Sequence, residues 1–418
     1  MLHYSAPPVV GGVEQVMQEH SRLFSKAGHK VTIFTGRGKQ NDPEIKVIKY
    51  PLFSSNNPRI LAIKRSLDNG KIPDDFFVVK DEIASFLNKY FNDFDAIIAH
   101  NICTLHKNLP LTAALHEFMQ QKSPPLLIAW DHDLAWKNDQ YLDELFDEWP
   151  WKLLKQTWHL QKHIHVTISK MRQKEMAQVF NIPPSHIKVI PSGIDWQGLL
   201  AMNEQSLEII NTYHLMDAFP LFLLPVRITR RKNIELAIHI IAHIKESFPK
   251  AALLVSGPIG PHNPKNKLYL SELMNLTAEL IHPSEITHHP YEQGVIFLAN
   301  FIDTFIPIET IFSLYRFCDA LLFPSFQEGF GIPILEAGVT GKPIFCSDIL
   351  PFHETAGNFA DFFDPHGDPD MIADRICTKI TSDKTLMHKN VVRQNYTWEK
   401  IFKDQIEPLL RSANKNTN

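Results

Sequence analysis

Short apolar runs alternate with longer segments of helical periodicity along the whole chain, and this alternation constrains the fold more than any other feature. Near the start, residues 13–27 have the apolar spacing of a helix, Gly28 ends it, and a β-branched run follows at 30–35. A strand, a helix and a second strand in this order predict a parallel sheet with right-handed crossovers. A polar stretch at 196–218 divides the chain into two such series. We therefore predict an α/β protein with two Rossmann-like, doubly wound parallel sheets and a ligand cleft between two domains.

The predicted boundaries follow from these two series. The first domain covers 1–195, a linker covers 196–218, the second domain covers 219–395, and a last helix covers 396–418. A chain of 418 residues suits two domains better than one. Residues 36–77 predict irregular chain because they are rich in Asn, Pro and charge, whereas 140–163 predicts a helix broken near Pro150. The first strand, at 2–5, is short, and we expect that a few residues precede Met1 in the full protein.

Composition excludes several classes of protein. A hydrophobic content of 44% and a charged content of 21% are typical of a globular protein with a sizeable core. A net charge of −4 gives no reason to expect a nucleic-acid partner. The four cysteines are scattered without a CxxC pair, so neither a metal site nor a disulfide framework is expected. Since no long apolar run and no signal sequence is present, we expect a cytoplasmic protein.

Two features allow contact with a membrane surface. The amino-terminal half is weakly basic and the remainder is acidic, although a solvated surface with no partner is the simpler explanation. Five of the seven tryptophans lie between Trp130 and Trp158. Core packing is the simpler explanation, and an aromatic wall for an acceptor or for a membrane contact is the alternative.

Residues 321–340, with the sequence LLFPSFQEGFGIPILEAGVT, predict an anion-binding site. An apolar strand end leads into a glycine-rich loop, and Pro333 suits the first turn of a helix that Gly341 ends. Free backbone N–H groups and the positive end of the helix dipole would face a ligand in the loop. Glu328 and Glu336 flank this loop, and carboxylates beside a phosphate are better suited to accept hydrogen bonds from hydroxyls. A sugar nucleotide carries both groups.

Charged and polar side chains also follow other predicted strands. Arg227 and Lys232 come directly after the strand that opens the second series, where they could neutralise a diphosphate. A basic surface cluster is the alternative. In the first series a strand ends at Asp131-His132-Asp133, and ligands of parallel sheets lie off such carboxyl ends.

The chain resembles the retaining glycosyltransferases of family 4, which have the GT-B fold. Glu328-Gly-Phe-Gly…Glu336 is similar to the E-x7-E element of that family. The order and spacing of the other matching elements carry the resemblance, and these are Gly11-Gly12-Val13-Glu14, Ala99-His100-Asn101, His132-Asp133, Pro191-Ser192-Gly193-Ile194-Asp195, Arg227 with Lys232, Phe323-Pro324-Ser325, Gly341-Lys342-Pro343, Leu350-Pro351…Glu354 and Trp398.

The resemblance implies a role for each candidate residue. In the second domain Arg227 and Lys232 would bind the donor diphosphate, Glu336 the ribose hydroxyls, and Glu328 the donor sugar. In the first, acceptor-side domain His132 would contact the transferred sugar. Backbone groups would come from the loop before the helix and from the first glycine pair, that is, from Gly329, Phe330, Gly331 and Ile332 and from Gly11 and Gly12. The last helix would cross back to the first domain.

The implied reaction is transfer of a hexose-type sugar from a UDP- or GDP-sugar with retention at the anomeric carbon. In a front-face mechanism the leaving phosphate takes the acceptor proton, so the protein supplies electrostatic stabilisation and positioning. The resemblance implies neither cofactor nor metal. Asp131 and Asp133 do match the D-x-D pattern of metal-dependent enzymes, but Arg227 and Lys232 would make a cation redundant.

Three positions depart from the family, and three kinds of function compete. Ser192 replaces the usual Asn, and Gly338-Val339 replaces Met-Ala. Ala299 replaces a frequent glycine near the expected position of the donor nucleobase. The acceptor would belong to polysaccharide, glycolipid or small-glycoside synthesis. The alternatives are another GT-B enzyme, such as a sugar phosphorylase or a nucleotide-sugar epimerase, and a catalytically silent protein that binds sugar nucleotides.

Overall fold

Each of the two predicted series of strands forms one parallel sheet. The computed structural model describes residues 1–8, 11–39, 42–158, 162–259, 265–282, 290–300 and 306–410. Two compact units are formed, one by Met1–Ile194 with Tyr396–Asn418 and the other by Asp195–Asn395. Both units have the predicted doubly wound α/β architecture.

The first sheet has seven strands in the order β3-β2-β1-β4-β5-β6-β7. These are β1 Leu2–His3, β2 Thr32–Thr35, β3 Lys46–Lys49, β4 Ala96–His100, β5 Leu126–Asp131, β6 His163–Thr167 and β7 Ile187–Val189. The helices of this part of the chain are α1 Gly12–Lys26, α2 Pro58–Leu67, α3 Asp74–Tyr90, α4 Leu109–Met119 and α5 Lys170–Phe180. The central strands β4 and β5 are apolar and almost wholly buried, as expected for a sheet covered on both faces.

The second sheet has six strands in the order β10-β9-β8-β11-β12-β13. These are β8 Leu221–Leu224, β9 Ala252–Val255, β10 Val295–Phe297, β11 Ala320–Phe323, β12 Ile344–Ser347 and β13 Asp361–Phe363. The helices are α6 Trp196–Leu199, α7 Glu204–Thr212, α8 Ile234–Ser247, α9 Lys265–Leu280, α10 Ile308–Phe317, α11 Ile332–Val339, α12 Leu350–Ala356, α13 Pro369–Ser382 and α14 Lys384–Asn395.

In each sheet the strand order reverses between two central strands. This switch point lies between β1 and β4 in the first sheet and between β8 and β11 in the second. The carboxyl ends of strands on either side of such a point leave a crevice in which ligands of this architecture bind. The predicted site residues lie in the segments that follow β1 and β5 in the first sheet and β8 and β11 in the second.

Two local predictions were wrong. Residues 36–77, predicted to be irregular, include β3, α2 and the first turn of α3. Residues 140–163, predicted to form a broken helix, contain only short 3₁₀ turns at Leu142–Glu144 and Trp151–Leu154 before β6, and 159–161 lie outside the described residues. Of the tryptophans in this region, Trp130, Trp151 and Trp158 are buried in the core, and Trp149 is exposed.

Residues 196–218 and the chain from Tyr396 onward belong to different units. The former carry α6 and α7 and lie in the second unit, where Asn203 donates a hydrogen bond to Thr310 of α10. The latter begins with α15, Trp398–Ile401, and a π-helical turn, Phe402–Ile406, and its part beyond residue 410 lies outside the described residues. Trp398 is buried in a cluster with Val16 and Trp130 of the first unit. No helix in the described residues is both long and apolar enough to cross a membrane.

Candidate active site

The loop after β8 is held in place by backbone contacts with the loop after β9. A Cβ atom at Gly257 would lie 1.9 Å from the carbonyl oxygen of Val226, so only glycine permits this approach. The N–H of Ile228 donates a hydrogen bond to the carbonyl oxygen of Pro258 at 3.0 Å, a usual length for such a bond. Asn233 ends the loop at a φ of 52° and donates from its side chain to the carbonyl of Pro365, 2.9 Å away. The loop therefore presents its basic side chains from a fixed backbone.

Of the three consecutive cations of this loop, one points away from the other two. The Arg230 guanidinium lies 4.6 Å from the ring centroid of Tyr269 on α9 and pairs with Glu272, so it is directed away from the candidate site. Arg231 and Lys232 both turn toward Glu328, with Arg231 Nη1 3.6 Å from Glu328 Oε2. Arg231 and Lys232 therefore turn toward the candidate site, and Arg230 turns away from it.

Lys232 and Glu328 form a largely buried ion pair at the carboxyl edge of the second sheet. Each side chain is only 10% exposed, and Lys232 Nζ donates to Glu328 Oε1. Ser325 donates to the same oxygen at 2.9 Å, and the Phe323 ring lies under the ammonium group with its centroid 5.7 Å from Nζ. Burial lowers the pKa of Lys232, the hydrogen bond and the charge of Glu328 oppose this shift, and the positive charge of Arg227 adds to it. Arg227 itself is exposed.

The first turn of α11 offers the backbone N–H groups that the sequence predicted. Gly331 precedes it at a φ of 98°, and a Cβ atom there would lie 2.9 Å from the Phe352 ring. No side chain caps this terminus, and Gly329 and Phe330 are exposed beside it. The helix starts at Ile332, one residue before the predicted start, and Gly341 follows its end at a φ of 66°.

Glu336 is half-buried in α11 and lies next to Tyr315 of α10. Burial and the neighbouring Glu336 carboxylate raise the pKa of Tyr315. The buried Tyr315 hydroxyl nevertheless makes no well-aligned hydrogen bond within the described residues. The Glu336 carboxylate consequently keeps its capacity to accept hydrogen bonds from a ligand.

In the first unit, Gly11 and Gly12 begin α1 beside a buried carboxylate. A Cβ atom at Gly11 would lie 2.2 Å from Glu14 Oε2, whereas one at Gly12 would meet open space. Ser5 donates to the other oxygen of Glu14, and His3 Nε2 lies 3.9 Å from it. A side chain at Gly11 would therefore displace the Glu14 carboxylate, whereas one at Gly12 would not.

His132 lies directly after β5 and is only 7% exposed. Its backbone N–H donates to Asn101 Oδ1 over 2.7 Å, and its Nε2 lies 3.3 Å from Nδ1 of His100 at the end of β4. Burial, and secondarily the charge of His3, lower the pKa of His132 to about 4. His132 is thus a neutral imidazole at pH 7, able to make hydrogen bonds but not to supply a positive charge.

The carboxylates on either side of His132 have separate partners. Asp131 is fully buried, accepts a hydrogen bond from Thr104 and lies 3.3 Å from His165 Nδ1. Asp133 is half exposed and pairs with Arg172 at 3.3 Å. The one group of metal-ligand type in the described chain is Asp68, His106 and Glu144, and there Lys64 already binds both acids.

The predicted site residues therefore fall into one group on each unit. Lys232, Glu328 and the start of α11 lie at the carboxyl edge of the second sheet, and Gly11 and His132 lie at that of the first. Further residues contact them and were not among the predicted site residues, and these include Ser325, Glu14 and His100. Each had a signal, because Ser325 and Glu14 stand in motifs that the sequence shares with family 4 and His100 ends the strand next to β5.

Two family models of known proteins match this chain. The family model described as Glycosyltransferase Family 4 matches residues 10–197, and that described as Glycosyl transferases group 1 matches residues 299–397. The two sheets and these matches define a GT-B glycosyltransferase of the hexosyltransferase type. The chain belongs to glycosyltransferase family 4.

Several individual proteins are similar to this chain. Mannosylglucosylglycerate synthase from Thermotoga maritima is 25% identical over 84% of this chain and 82% of its own length. Serotype-specific mannosyltransferase WbdA from Escherichia coli is 26% identical over 52% of this chain and 24% of its own length. A solved glycosyltransferase from Rickettsia africae is 18% identical, covers 99% of this chain and 100% of its own, and has a TM-score of 0.35.

Proposed function

We propose that this glycosyltransferase moves a hexose from a nucleotide sugar to an acceptor with retention at the anomeric carbon, and that the second unit binds the donor. The observation that carries the proposal is the buried Lys232–Glu328 pair beside the open first turn of α11. A cation, an acid and free backbone N–H groups together match a diphosphate joined to a polyol. Arg227, exposed but close enough to affect Lys232, adds a second positive charge.

Donor binding requires an exchange of partners at Lys232. Before binding, its charge is neutralised by Glu328 in a site that excludes most water. When the diphosphate takes up the ammonium group, the Glu328 carboxylate becomes available to the sugar hydroxyls. During transfer, negative charge builds up on the leaving diphosphate, where Lys232, Arg227 and the N–H groups of α11 stabilise it.

His132 and Glu336 complete the proposed contacts. Glu336 accepts hydrogen bonds from the ribose hydroxyls, and the neutral imidazole of His132 contacts the transferred sugar. The leaving phosphate takes the acceptor proton, so no protein group has to act as a general base. Asp131 and Asp133 have other partners, and we propose that transfer requires no metal.

We propose mannose as the transferred sugar and a small glycoside or a growing polysaccharide as the acceptor. This choice is supported by two relatives of the chain, a mannosylglucosylglycerate synthase and a mannosyltransferase. The test is incubation of the full chain with UDP- and GDP-linked hexoses and a panel of glycosides, followed by mass and anomeric analysis of the products.

The variants Lys232→Met and Glu336→Ala should abolish transfer and keep the far-UV spectrum, whereas Lys250→Met, at an exposed position, should not change the rate. Epimerised donor without a glycosylated product would favour the epimerase alternative, and phosphate-dependent cleavage of a glycoside would favour a phosphorylase. Binding of a nucleoside diphosphate without turnover of any donor would favour a catalytically silent protein.

We also propose a cytoplasmic location with peripheral membrane contact through the first unit. The side chains of Phe77 and Trp149 are 45% and 40% exposed and stack on each other, with ring centroids 5.7 Å apart. Aromatic side chains of this kind are favoured at membrane interfaces. Sedimentation with anionic vesicles should be weaker for Trp149→Ser than for the wild type, and equal sedimentation would contradict the contact.

A further inference from the structure

The imidazole rings of His100 and His132 meet edge to edge in the first unit. Nδ1 of His100 lies 3.3 Å from Nε2 of His132, and the ring planes differ by 26°. The ring centroids are 5.6 Å apart, which equals the N···N distance plus the distance from each nitrogen to the centroid of its own ring. The two nitrogens therefore face each other close to the ring planes, where an imidazole donates or accepts a hydrogen bond.

Both rings are neutral at physiological pH. His100 is fully buried and His132 nearly so. Burial keeps the pKa of His100 well below its usual value and that of His132 at about 4. In a hydrogen bond between two neutral rings, one of the two facing nitrogens carries the proton and the other accepts the hydrogen bond. Which ring donates determines where His132 carries its own proton.

The surroundings of His100 favour this ring as the donor. Its other nitrogen, Nε2, is buried and has no hydrogen-bond partner among the described residues. The rings of His20 and Trp130 lie beside the His100 ring, with their centroids 5.6 and 6.0 Å from its centroid. If His132 donated, His100 would carry its proton on Nε2 as a buried N–H without an acceptor. Buried N–H groups without partners are rarer than unsatisfied acceptors, so the proton belongs on Nδ1 of His100.

We propose that His100 is a positioning residue that fixes His132 in the tautomer protonated on Nδ1. His132 then offers an Nδ1–H donor, and the oxygen it contacts is an acceptor on the transferred sugar. The backbone supports the same geometry, since Asn101 Oδ1 accepts from the N–H of His132 and His3 Nδ1 lies 2.9 Å from the carbonyl of His100. This inference rests on the proposed contact between His132 and the sugar.

The tautomer can be measured directly, without turnover. Long-range ¹H–¹⁵N correlation spectra of the full chain with ¹⁵N-labelled histidine report which ring nitrogen is protonated, and His132→Gln assigns the signal. In the wild type we expect His132 protonated on Nδ1 and bare on Nε2. His100→Leu removes the donor and should shift part of the population to the Nε2–H form. His100→Asn places an amide donor near the former Nδ1 and should restore the wild-type pattern.

Kinetics then test whether the tautomer matters for transfer. We expect His100→Leu to lower kcat/KM on the order of tenfold and His100→Asn to recover most of it. His186→Leu changes an exposed histidine and should leave both the spectrum and the rate unchanged. If the leucine variant does not fold, His100→Asn decides, since a retained Nδ1 proton and rate support the proposal and their loss overturns it.

The outcomes separate this inference from the proposed function. A wild-type His132 protonated on Nε2, or a tautomer that is the same in His100→Leu, overturns the positioning role even if transfer is observed. The expected tautomer in a chain that transfers no sugar would overturn the proposed function and leave the role of His100 in setting the proton position intact.

Discussion

At the scale of single residues, the central feature is that Glu328 stabilises the charge of Lys232 in a largely buried position. Burial acts against the ammonium form and Glu328 acts in its favour. Removal of one partner from such a pair leaves a buried charge uncompensated, which costs more than the pair contributes. Glu328 therefore maintains the lysine before the diphosphate arrives, in addition to its proposed contact with the sugar.

This pairing leads to a prediction about pH. Glu328→Gln removes the group that raises the pKa of Lys232, so that pKa falls further and the ammonium form is lost at lower pH. We expect the alkaline limit of kcat/KM to shift to lower pH than in the wild type. The pH profile of donor turnover measures this, with the exposed Gln327→Ala as the control. An alkaline limit unchanged or shifted upward would contradict the role of Glu328.

The acids beside His132 support a second prediction. Asp131 contacts Thr104 and His165, Asp133 contacts Arg172, and the two carboxylates do not share a partner. We expect transfer to continue at its full rate in excess EDTA, because Lys232 and Arg227 replace a divalent cation at the diphosphate. Initial rates with and without the chelator check this, and a rate restored only by added divalent ions would bring back the D-x-D interpretation.

The sequence indicated most of these residues but not their partners. Lys232, Glu328 and Glu336 follow from strand ends and from a shared motif. That Arg230 turns to Tyr269 while Arg231 turns to Glu328 depends on α9, which lies far away in the sequence. Spacing along one loop contains no information about such distant neighbours. The same holds for the contact of His100 with His132, which follows the neighbouring strand β5.

At the scale of secondary structure, α11 depends on the glycine that precedes it. Gly331 has a φ of 98°, where a side chain is strained, and its α-carbon faces the Phe352 ring of α12. The left-handed conformation costs an L-residue about 1–2 kcal/mol. The placement of the α11 N–H groups is thus linked to the packing of α12.

Gly331→Ala should therefore lower the free energy of unfolding by about 1–2 kcal/mol and weaken binding of a nucleoside diphosphate. Urea unfolding and calorimetric titration measure the two effects. Gly338→Ala, within α11, is the matched control, because Gly338 has no positive φ and a Cβ atom there meets nothing within 4 Å. Equal effects of the two substitutions would show that the conformation of Gly331 is not what matters.

Elements were predicted well where they are long and buried and poorly elsewhere. The sequence predicts β5 and β11 because both are continuous apolar runs. β3 has the sequence KVIK, with both lysines exposed at the sheet edge, and this is too short and too polar to show a period. α2 did carry a signal, since Asn57 caps it and Pro58 occupies its first turn.

At the scale of the whole molecule, the first unit buries several neutral histidines. His20 is fully buried and both of its ring nitrogens lack partners among the described residues, and burial lowers its pKa to about 3. His100 and His132 are shifted downward for the same reason. Their usual value is 6.5, so the unfolded chain binds more protons than the folded chain between about 4 and 6.5.

Stability should consequently fall as the pH drops below 6.5. Each of these histidines contributes a loss of about 2 kcal/mol at pH 5, because protonation then favours the unfolded chain. Urea unfolding at pH 7 and pH 5 measures the loss. His20→Leu replaces the imidazole with an apolar side chain that does not titrate. It should reduce the difference between the free energies of unfolding at pH 7 and pH 5. A difference as large as that of the wild type would show that His20 does not titrate on unfolding.

The most direct test of the account is calorimetric titration of the full chain with UDP and GDP in the presence of EDTA. We expect one of the two to bind saturably, Lys232→Met to weaken that binding at least about tenfold, as loss of a charged contact does, and the exposed Lys250→Met to leave it unchanged. Equal affinity of the wild type and Lys232→Met, or binding that requires a divalent ion, would contradict the assignment of the donor site to the carboxyl edge of the second sheet.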